Sequence, residues 1–406
     1  MTESLYIIMV GLPARGKSTL AGKLSESLKR DGISTRIFNN GDLRRRLSKE
    51  NTSYPEFYDP KNDVGVALRE KYAVMNLNHA ITFIRRSRSR RRVAIIDATN
   101  VSVQRRRLLL SHLPEESVLF IECINNDEEI LEANIRYKVD TPEFSYLSKK
   151  AAIASFKKRI SYYEGIYRPL KNEKNYLKVD TFNYRVLKEK VNGSIPFVDR
   201  IRDFLVTPFI KNLYVIRHTE TYFNRNDRIG GNSRLTPHGR TQADKLARHF
   251  STKRIPLIVT SDLTRTKQTS EAIKRAQHDC KVIALPEFNE INSGICEGMS
   301  YREIREKMPD VAAARKRNKY YYRYPEGEGY VSMEERIERG IKKVLYMSKY
   351  SDNIMIVGHR AVNRMILSYF VYKRKEDVPY IYIPQDKYYH IKIGQNRKVF
   401  DIKKFA

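Results

Sequence analysis

Short apolar runs alternate with longer amphipathic stretches along the first half of the chain. The apolar runs have the length and residue types of buried strands and lie at 5–10, 35–38, 93–96, 118–122 and 176–179. The amphipathic stretches have the spacing of helices and lie near 17–30, 64–90, 102–112, 127–138 and 149–168. Because the two kinds of segment alternate, we predict a mostly parallel sheet that helices cover on both faces.

The alternation starts again after Pro208, which interrupts the pattern. Strands are predicted at 213–216, 257–260, 282–284 and 354–357, with helices near 236–250, 264–277, 332–349 and 359–370. We therefore predict two α/β domains, 1–208 and 209–406. No apolar run approaches the roughly 18–20 residues of a membrane span, and the N-terminus lacks a signal-peptide pattern, so we expect neither a membrane protein nor a secreted one.

The charge balance narrows the class of partner. The 406 residues include 77 Lys+Arg and 47 Asp+Glu, and the net charge of +30 favours nucleic acids, phosphorylated metabolites or membrane surfaces. We interpret the arginine-rich stretch 85–92 as a solvated helix end and loop rather than a nucleic-acid contact. The three cysteines are too widely spaced for a disulfide framework or a zinc site, which indicates a reducing cytoplasm.

A phosphate-binding loop follows the first predicted strand. The sequence Gly11-Leu-Pro-Ala-Arg-Gly16-Lys17-Ser18 fits the P-loop pattern, whose glycines let backbone N–H groups turn inward around phosphates. In this pattern Lys17 reaches the β- and γ-phosphates of ATP, and the Ser18 hydroxyl ligates Mg²⁺. Asp97 ends the third strand and is a candidate for the same metal shell, although it could instead cap the next helix.

Basic residues are dense in the segments around this loop. A phosphorylated acceptor beside ATP would need such charges, although each residue taken alone is more often a surface charge. The candidates are Arg44, Arg45, Arg69, Arg105, Lys138 and Arg159.

Two histidines follow strands of the second half. Arg217-His218 ends one apolar strand and Gly358-His359 ends another, while Arg265 and Glu290 come after two further strands. Ligands bind at the carboxyl ends of parallel strands, so both imidazoles are expected at one site. The set fits phosphoryl transfer through a phosphohistidine, with arginines neutralising the oxygens and a carboxylic acid protonating the leaving group.

These residues resemble one family, the bifunctional 6-phosphofructo-2-kinase/fructose-2,6-bisphosphatases, over nearly the whole chain. In the first half the likeness rests on Val10-Gly-Leu-Pro-Ala-Arg-Gly-Lys-Ser18, Phe38-Asn-Asn-Gly-Asp-Leu-Arg-Arg45, Asp97-Ala-Thr-Asn100 and Lys158-Arg-Ile-Ser-Tyr-Tyr-Glu164. In the second half it rests on Arg217-His218, Arg228-Ile-Gly-Gly231, Asn289-Glu-Ile-Asn-Ser-Gly-Ile-Cys-Glu297, Tyr320-Tyr-Tyr-Arg-Tyr-Pro325 and Gly358-His-Arg-Ala-Val362.

The resemblance implies a P-loop kinase domain that phosphorylates the 2-hydroxyl of fructose 6-phosphate with ATP. By match, Gly11, Gly16, Lys17, Ser18 and Asp97 serve ATP and Mg²⁺, and Lys138 stabilises the transferring group. The positions that match the family's sugar-phosphate residues are Arg44, Arg45, Arg69, Thr99, Arg105, Arg159 and Tyr163.

For the second half the resemblance implies a histidine-phosphatase, phosphoglycerate-mutase-like α/β domain that removes the 2-phosphate of fructose 2,6-bisphosphate. His218 matches the nucleophile and Glu290 the acid/base, with Arg217, Asn224, Arg265 and His359 around the reacting phosphate. The residues that match the sugar and 6-phosphate site are Tyr301, Arg315, Lys319, Tyr330 and Arg364. The family also implies a homodimer.

Three positions depart from the family pattern. Thr219 replaces a glycine beside the nucleophile, Arg360 replaces a glutamine beside the second histidine, and Asn125 replaces a cysteine near the nucleotide site. The first two keep open a kinase whose second domain is a weak or inactive binding module. A polynucleotide kinase–phosphatase would explain the charge of +30, but such enzymes commonly use an aspartate nucleophile, so we regard nucleic acid as the less favoured partner.

Overall fold

The structure is a computed structural model, and it describes residues 2–48, 51–114, 117–207, 210–348, 352–371, 374–394 and 398–405. The chain divides into two compact units, Met1–Pro208 and Phe209–Ala406. The boundary predicted between residues 208 and 209 itself lies outside the described residues.

The described residues of the first unit form one sheet with the strand order β2-β3-β1-β4-β5-β6. All neighbouring strands are parallel except β5 and β6. The strands are β1 (Glu3–Val10), β2 (Ser34–Asn39), β3 (Arg91–Asp97), β4 (Val118–Ile124), β5 (Tyr176–Asp180) and β6 (Arg185–Lys190). The helices are α1 (Lys17–Arg30), α2 (Asn40–Leu47), α3 (Asp63–Arg86), α4 (Val103–Leu110), α5 (Glu128–Val139), α6 (Lys149–Ile166) and α7 (Val198–Val206).

Alternate residues of β1 pack on opposite faces of this sheet, as a strand period of two requires. Ile7 and Met9 join a core that includes α1 and α7, whereas Ile8 and Val10 join a second core with α3. The sequence pattern therefore placed the central strands correctly. It missed β6, because that edge strand has no fully buried residue and so carries no apolar run.

The described residues of the second unit form a sheet with the order β12-β11-β7-β10-β8-β9. Strands β7 to β10 are parallel, and β11 runs antiparallel to both β7 and β12. The strands are β7 (Ile210–Arg217), β8 (Leu257–Thr260), β9 (Lys281–Ala284), β10 (Asn353–Gly358), β11 (Lys387–Ile393) and β12 (Lys398–Lys404). The helices are α8 (Tyr222–Arg225), α9 (Pro237–Phe250), α10 (Thr264–Arg275), α11 (Tyr301–Lys307), α12 (Pro309–Arg317), α13 (Tyr330–Met347) and α14 (Arg360–Phe370).

Central strand β7 pairs with β10 so that Arg217 lies opposite Gly358. The two strands therefore end side by side, and the residues that follow them share one edge of the sheet. Helix α13 begins earlier than predicted, and its predicted end at residue 349 lies outside the described residues. Within the described part of the chain, no helix combines the length and apolarity needed to cross a membrane.

Candidate active sites

Glycine is required at two positions of the loop between β1 and α1. Gly11 has φ +139°, and a Cβ placed there would lie 2.6 Å from the carbonyl oxygen of Cys123. Gly16 has φ +86° immediately before α1. Both conformations disfavour other residues, so the backbone amides can face the space at the helix N-terminus. The Gly11 N–H donates to the Thr99 carbonyl at 2.9 Å, which ties this loop to the one after β3.

Lys17 is buried at the start of α1. Its side chain is 7% exposed, and Nζ donates to the Leu12 carbonyl at 2.6 Å. Burial lowers the pKa of Lys17 to about 8, and the nearby carboxylate of Asp97 only partly offsets that effect. The loop therefore holds a cation close to a carboxylate, at the place where the P-loop pattern puts the terminal phosphates.

Asp97 ends β3 and is 3% exposed. One carboxylate oxygen accepts a hydrogen bond from Asn39 Nδ2 at 2.5 Å, which holds the side chain in place. No group of three or more His, Cys, Asp or Glu residues suited to a metal occurs in the described ranges. Mg²⁺ is usually held by one or two carboxylates together with substrate phosphates, so Asp97 and the Ser18 hydroxyl suit it without a larger cluster.

Three predicted sugar-phosphate residues converge on Glu143, which the sequence did not single out. Its carboxylate lies 2.5 Å from Arg44 Nη2, 3.0 Å from Arg45 Nη1 and 3.8 Å from Arg159 Nη1. Burial opposes ionisation of Glu143, but Arg44, Arg159 and Arg45 together hold the pKa of that carboxyl below its usual value. The arginines are therefore arranged around one anionic group.

Within the described residues, this cluster also contains buried donors that have no partner. The Nε atoms of Arg44, Arg105 and Arg159 and the Tyr58 hydroxyl lack a hydrogen-bond partner among the described residues. The Arg159 guanidinium carbon lies 3.8 Å from the centroid of the Tyr58 ring, within reach of a cation–π contact. Unpaired buried donors disfavour the empty site, and a phosphorylated ligand would supply acceptors for them.

The other predicted basic residues and Tyr163 lie near the same cluster, whereas Thr99 contributes its backbone carbonyl to the loop after β1. Burial lowers the pKa of Arg105 and Arg69; the charge of Arg69 also lowers the pKa of Arg105, and that of Arg159 lowers the pKa of Arg69. Burial likewise lowers the pKa of Lys138, which also senses Arg45 and Asp97. Lys138 is therefore within electrostatic range of Asp97 on the nucleotide side and of Arg45 in the arginine cluster. Sequence reasoning missed Asn39, Tyr58 and Glu143, and of these only Asn39 carried a signal, as a polar residue ending a strand.

In the second unit, His218 and His359 meet at the carboxyl ends of β7 and β10. Their ring centroids are 5.3 Å apart, and both side chains are buried. His218 Nδ1 lies 2.8 Å from the Thr219 carbonyl oxygen, so Nδ1 carries the proton and Nε2 keeps its lone pair. Burial, then Arg265 and Arg217, holds the pKa of His218 well below its usual value. His218 is therefore a neutral imidazole with a free nucleophilic nitrogen.

A cavity of about 310 Å³ opens beside His218. The predicted residues that line it are Arg217, Asn224, Arg265, Glu290, Tyr301, Arg315, Lys319, Tyr330 and Arg364. His359 is fully buried and is absent from the described lining, and it reaches the site through Arg265, whose Nε lies 3.2 Å from His359 Nδ1. Arg228 and Gln385 also line the cavity without having been predicted as site residues.

In one part of this cavity, arginine side chains donate hydrogen bonds to tyrosine hydroxyls. Arg364 Nη1 donates to the Tyr330 hydroxyl at 3.0 Å, and Arg315 Nη2 donates to the Tyr301 hydroxyl at 3.2 Å. Burial lowers the pKa of Lys319 to about 8, and the positive charges of Arg315, Arg364 and Arg360 contribute to the shift. So many cations around one space favour a ligand with more than one phosphate.

Glu290 is held by backbone amides. The Ala361 N–H donates to its carboxylate at 3.2 Å and the Ile291 N–H at 3.1 Å. Because Glu290 also lines the cavity, its carboxyl group is positioned to exchange a proton with a group bound beside His218.

The positions that depart from the family pattern differ in their surroundings. Thr219 is fully buried, its hydroxyl lies 3.3 Å from that of Thr269, and it does not belong to the described cavity lining. Its φ is not positive, so the backbone conformation there does not require glycine. Arg360 lines the cavity, and after burial it is the main reason why the pKa of Arg217 falls to about 10. Asn125 is buried after β4, and its Nδ2 has no partner among the described residues.

The fold and the two sites define a chain with a P-loop kinase unit followed by a histidine-phosphatase unit. A family model described as 6-phosphofructo-2-kinase matches residues 1–211, and one described as histidine phosphatase superfamily (branch 1) matches residues 213–404. The 6-phosphofructo-2-kinase/fructose-2,6-bisphosphatase 3 of Rattus norvegicus is 33% identical over 390 residues, which cover 93% of this chain and 68% of that protein. The 6-phosphofructo-2-kinase/fructose-2,6-bisphosphatase 1 of Bos taurus is 35% identical over 391 residues, which cover 93% of this chain and 79% of that protein.

The chain therefore belongs to the 6-phosphofructo-2-kinase/fructose-2,6-bisphosphatase family. Its fold class and enzyme class agree with those predicted from the sequence.

Proposed function

We propose that this chain performs both reactions named in its family. The first unit transfers the γ-phosphoryl group of ATP to the 2-hydroxyl of fructose 6-phosphate. The second unit hydrolyses the 2-phosphate of fructose 2,6-bisphosphate. The observation that carries the phosphatase half of the proposal is the cavity in which neutral His218, with Nε2 unprotonated, lies among cations and beside Glu290.

In the first unit, the loop amides and Lys17 bind the ATP phosphates. Ser18 and Asp97 would hold Mg²⁺, which neutralises charge on the phosphates when it is bound. Lys138 stabilises the phosphoryl group as it passes to the sugar. The sugar phosphate is held by Arg44, Arg45, Arg69, Thr99, Arg105, Arg159 and Tyr163. The Nε donors of the arginine cluster, which are unpaired within the described residues, support this assignment because a phosphate supplies the acceptors they lack.

In the second unit, His218 Nε2 attacks the phosphorus of the 2-phosphate. The bond from phosphorus to the sugar oxygen breaks, and protonated Glu290 gives its proton to that oxygen. Water then attacks the phosphohistidine, Glu290 accepts a proton from the water, and the bond between nitrogen and phosphorus breaks to release phosphate. Arg217, Asn224, Arg265 and His359 surround the transferring group. The sugar and 6-phosphate are held by Tyr301, Arg315, Lys319, Tyr330 and Arg364.

The test is to incubate the full chain with fructose 2,6-bisphosphate labelled at the 2-phosphate. We expect an acid-labile label on His218 and release of fructose 6-phosphate, both absent in His218→Ala. His238→Ala is the matched control, because His238 is exposed on α9. A wild-type chain that synthesises the bisphosphate but acquires no label would support the alternative in which the second unit is only a binding module.

We also propose that the protein is a homodimer, as the family resemblance implies, and that it lies in the cytoplasm, as its few widely spaced cysteines indicate. Light scattering of the purified chain measures its oligomeric state. The net charge of +30 is the reason to test the polynucleotide kinase–phosphatase alternative as well. A gel shift with short oligonucleotides that weakens steeply with salt would favour that alternative, because backbone binding releases counterions.

A further inference from the structure

Two buried hydroxyl groups connect His359 to a backbone carbonyl. The Ser261 hydroxyl oxygen lies 2.8 Å from His359 Nε2 and 2.7 Å from the hydroxyl oxygen of Thr266. Thr266 in turn donates to the Leu263 carbonyl at 2.8 Å. Ser261, Thr266 and His359 are fully buried, so bulk water does not compete for these hydrogen bonds.

The direction of each hydrogen bond in this buried network follows from one donor, Arg265. Arg265 Nε–H can only donate, so His359 Nδ1, 3.2 Å away, must accept. In a neutral imidazole the other nitrogen then carries the proton, and Nε2–H donates to Ser261. The Ser261 hydroxyl then donates to the Thr266 hydroxyl, and the Thr266 hydroxyl donates to the Leu263 carbonyl. A carbonyl oxygen can only accept. The arrangement therefore has one consistent orientation.

We propose that Ser261 and Thr266 are positioning residues that hold His359 as the Nε2–H tautomer, so that only Nδ1 can gain or lose a proton at the reacting phosphate. The placement of the phosphoryl group beside His359 rests on the proposed function, whereas the tautomer does not. Nδ1 accepts from Arg265 in the unliganded site. When Arg265 turns to a bound phosphate, its hydrogen bond to Nδ1 breaks, and Nδ1 can then take a proton from water and donate it to a phosphoryl oxygen, while Ser261 accepts from Nε2 in both states.

The tautomer is tested directly by nitrogen-15 NMR of the histidine side chains in the unliganded full chain. The His359 signals are identified by their loss in His359→Gln. We expect a protonated Nε2 and an unprotonated Nδ1. A protonated Nδ1 in the unliganded wild type overturns the proposal. This measurement needs no turnover, so it decides the proposal even if the second unit proves inactive.

Kinetics test whether the hydroxyl chain matters to the reaction. We expect Ser261→Ala and Thr266→Val to lower the phosphatase kcat by about tenfold to a hundredfold with KM nearly unchanged. This is less than the roughly 10⁴-fold cost of a wrong histidine tautomer in a serine-protease triad, because Arg265 remains in place. Thr266→Ser keeps the hydroxyl and should restore the rate. If Ser261→Ala folds poorly, the two Thr266 variants decide the question.

Ser270→Ala is the matched control. Ser270 is equally buried in α10 and donates to the Thr266 carbonyl at 2.7 Å, but it makes no contact with His359 in the described structure. Its removal should change thermal stability without changing kcat. Equal losses of kcat in Ser270→Ala and Thr266→Val, or an unchanged kcat in Ser261→Ala and Thr266→Val, would overturn the positioning role.

Discussion

Replacing Lys17 by methionine should strongly lower the rate of the kinase reaction, spare the phosphatase reaction and change how stability depends on pH. Methionine keeps much of the volume of the lysine chain but has no charge. Lys17 is 7% exposed and carries a pKa of about 8 in the folded chain, against the ordinary value of 10.5. Burial therefore disfavours the charged form in the folded state.

The size of the effect follows from these two values. At roughly 1.4 kcal/mol for each pKa unit, the charged lysine destabilises the fold by about 3 kcal/mol relative to the neutral form. Below pH 8 the group is charged in both folded and unfolded states, so the whole penalty applies. As pH rises from 8 toward 10.5 the folded state loses its proton first, and the penalty disappears.

Lys17→Met removes this penalty and also the hydrogen bond to the Leu12 carbonyl, which is worth roughly 1.5–3 kcal/mol for a charged donor. The net change at pH 7 is therefore small. The clear signal is the pH dependence: wild type should gain up to about 3 kcal/mol relative to Lys17→Met between pH 8 and 10.5. Lys29→Met is the control, because Lys29 is exposed on the same helix.

Urea unfolding of the full chain at several pH values measures this difference, and the transition of the first unit is identified in wild type by its shift on adding ATP. Kinase activity should fall by on the order of 10²–10³-fold, as expected for loss of one electrostatic contact to a transition state. Phosphate release from fructose 2,6-bisphosphate should be unchanged. The reasoning is refuted if Lys17→Met and Lys29→Met show the same pH dependence, or if both activities of a folded Lys17→Met fall together.

Three further substitutions test other parts of the two sites. Arg360→Gln removes one cation from the cavity lining and should raise the phosphate concentration needed to inhibit the phosphatase a few-fold. Arg275→Gln is the control, because Arg275 is exposed, and it should leave this concentration unchanged. Equal inhibition of the two variants would contradict the prediction. Thr219→Gly should lower the free energy of unfolding by about 1 kcal/mol without raising the phosphatase rate, because Thr219 is buried outside the described lining; a faster enzyme would show that it crowds the site. Gly11→Ala places a Cβ 2.6 Å from the Cys123 carbonyl oxygen and should abolish ATP binding, measured by calorimetry, while phosphatase activity persists.

The parts of each site that sequence could predict are those that follow directly from strands. Lys17 follows a P-loop glycine, and Asp97, His218 and His359 each stand at the end of an apolar strand. Parallel strands bring such residues to one edge, so their approximate location follows from the alternation of elements. Strands β11 and β12 were missed because each mixes lysines and aromatic residues. Neither sequence forms an apolar run or a strict alternation of apolar and polar residues.

Glu143 and Tyr58 could not be predicted because their roles depend on tertiary contacts. Glu143 lies in a short turn after α5 and meets Arg44, which is 99 positions earlier in the chain. Tyr58 is a buried aromatic residue, and without the structure it reads as an ordinary core position. Its contact with the Arg159 guanidinium appears only when α6 packs against the segment before α3.

Thr219 and Arg360 show why departures from a family pattern need the structure to be interpreted. Each follows a histidine at the end of a strand, and in the sequence both are substitutions beside the reacting group. Thr219 packs its hydroxyl against Thr269 and does not belong to the described cavity lining. Arg360 is the first residue of α14, lines the cavity and lowers the pKa of Arg217. The charge of Arg360 therefore acts directly on the phosphatase site, whereas Thr219 contacts it through its backbone carbonyl, which accepts from His218 Nδ1, and keeps its side chain outside the described lining.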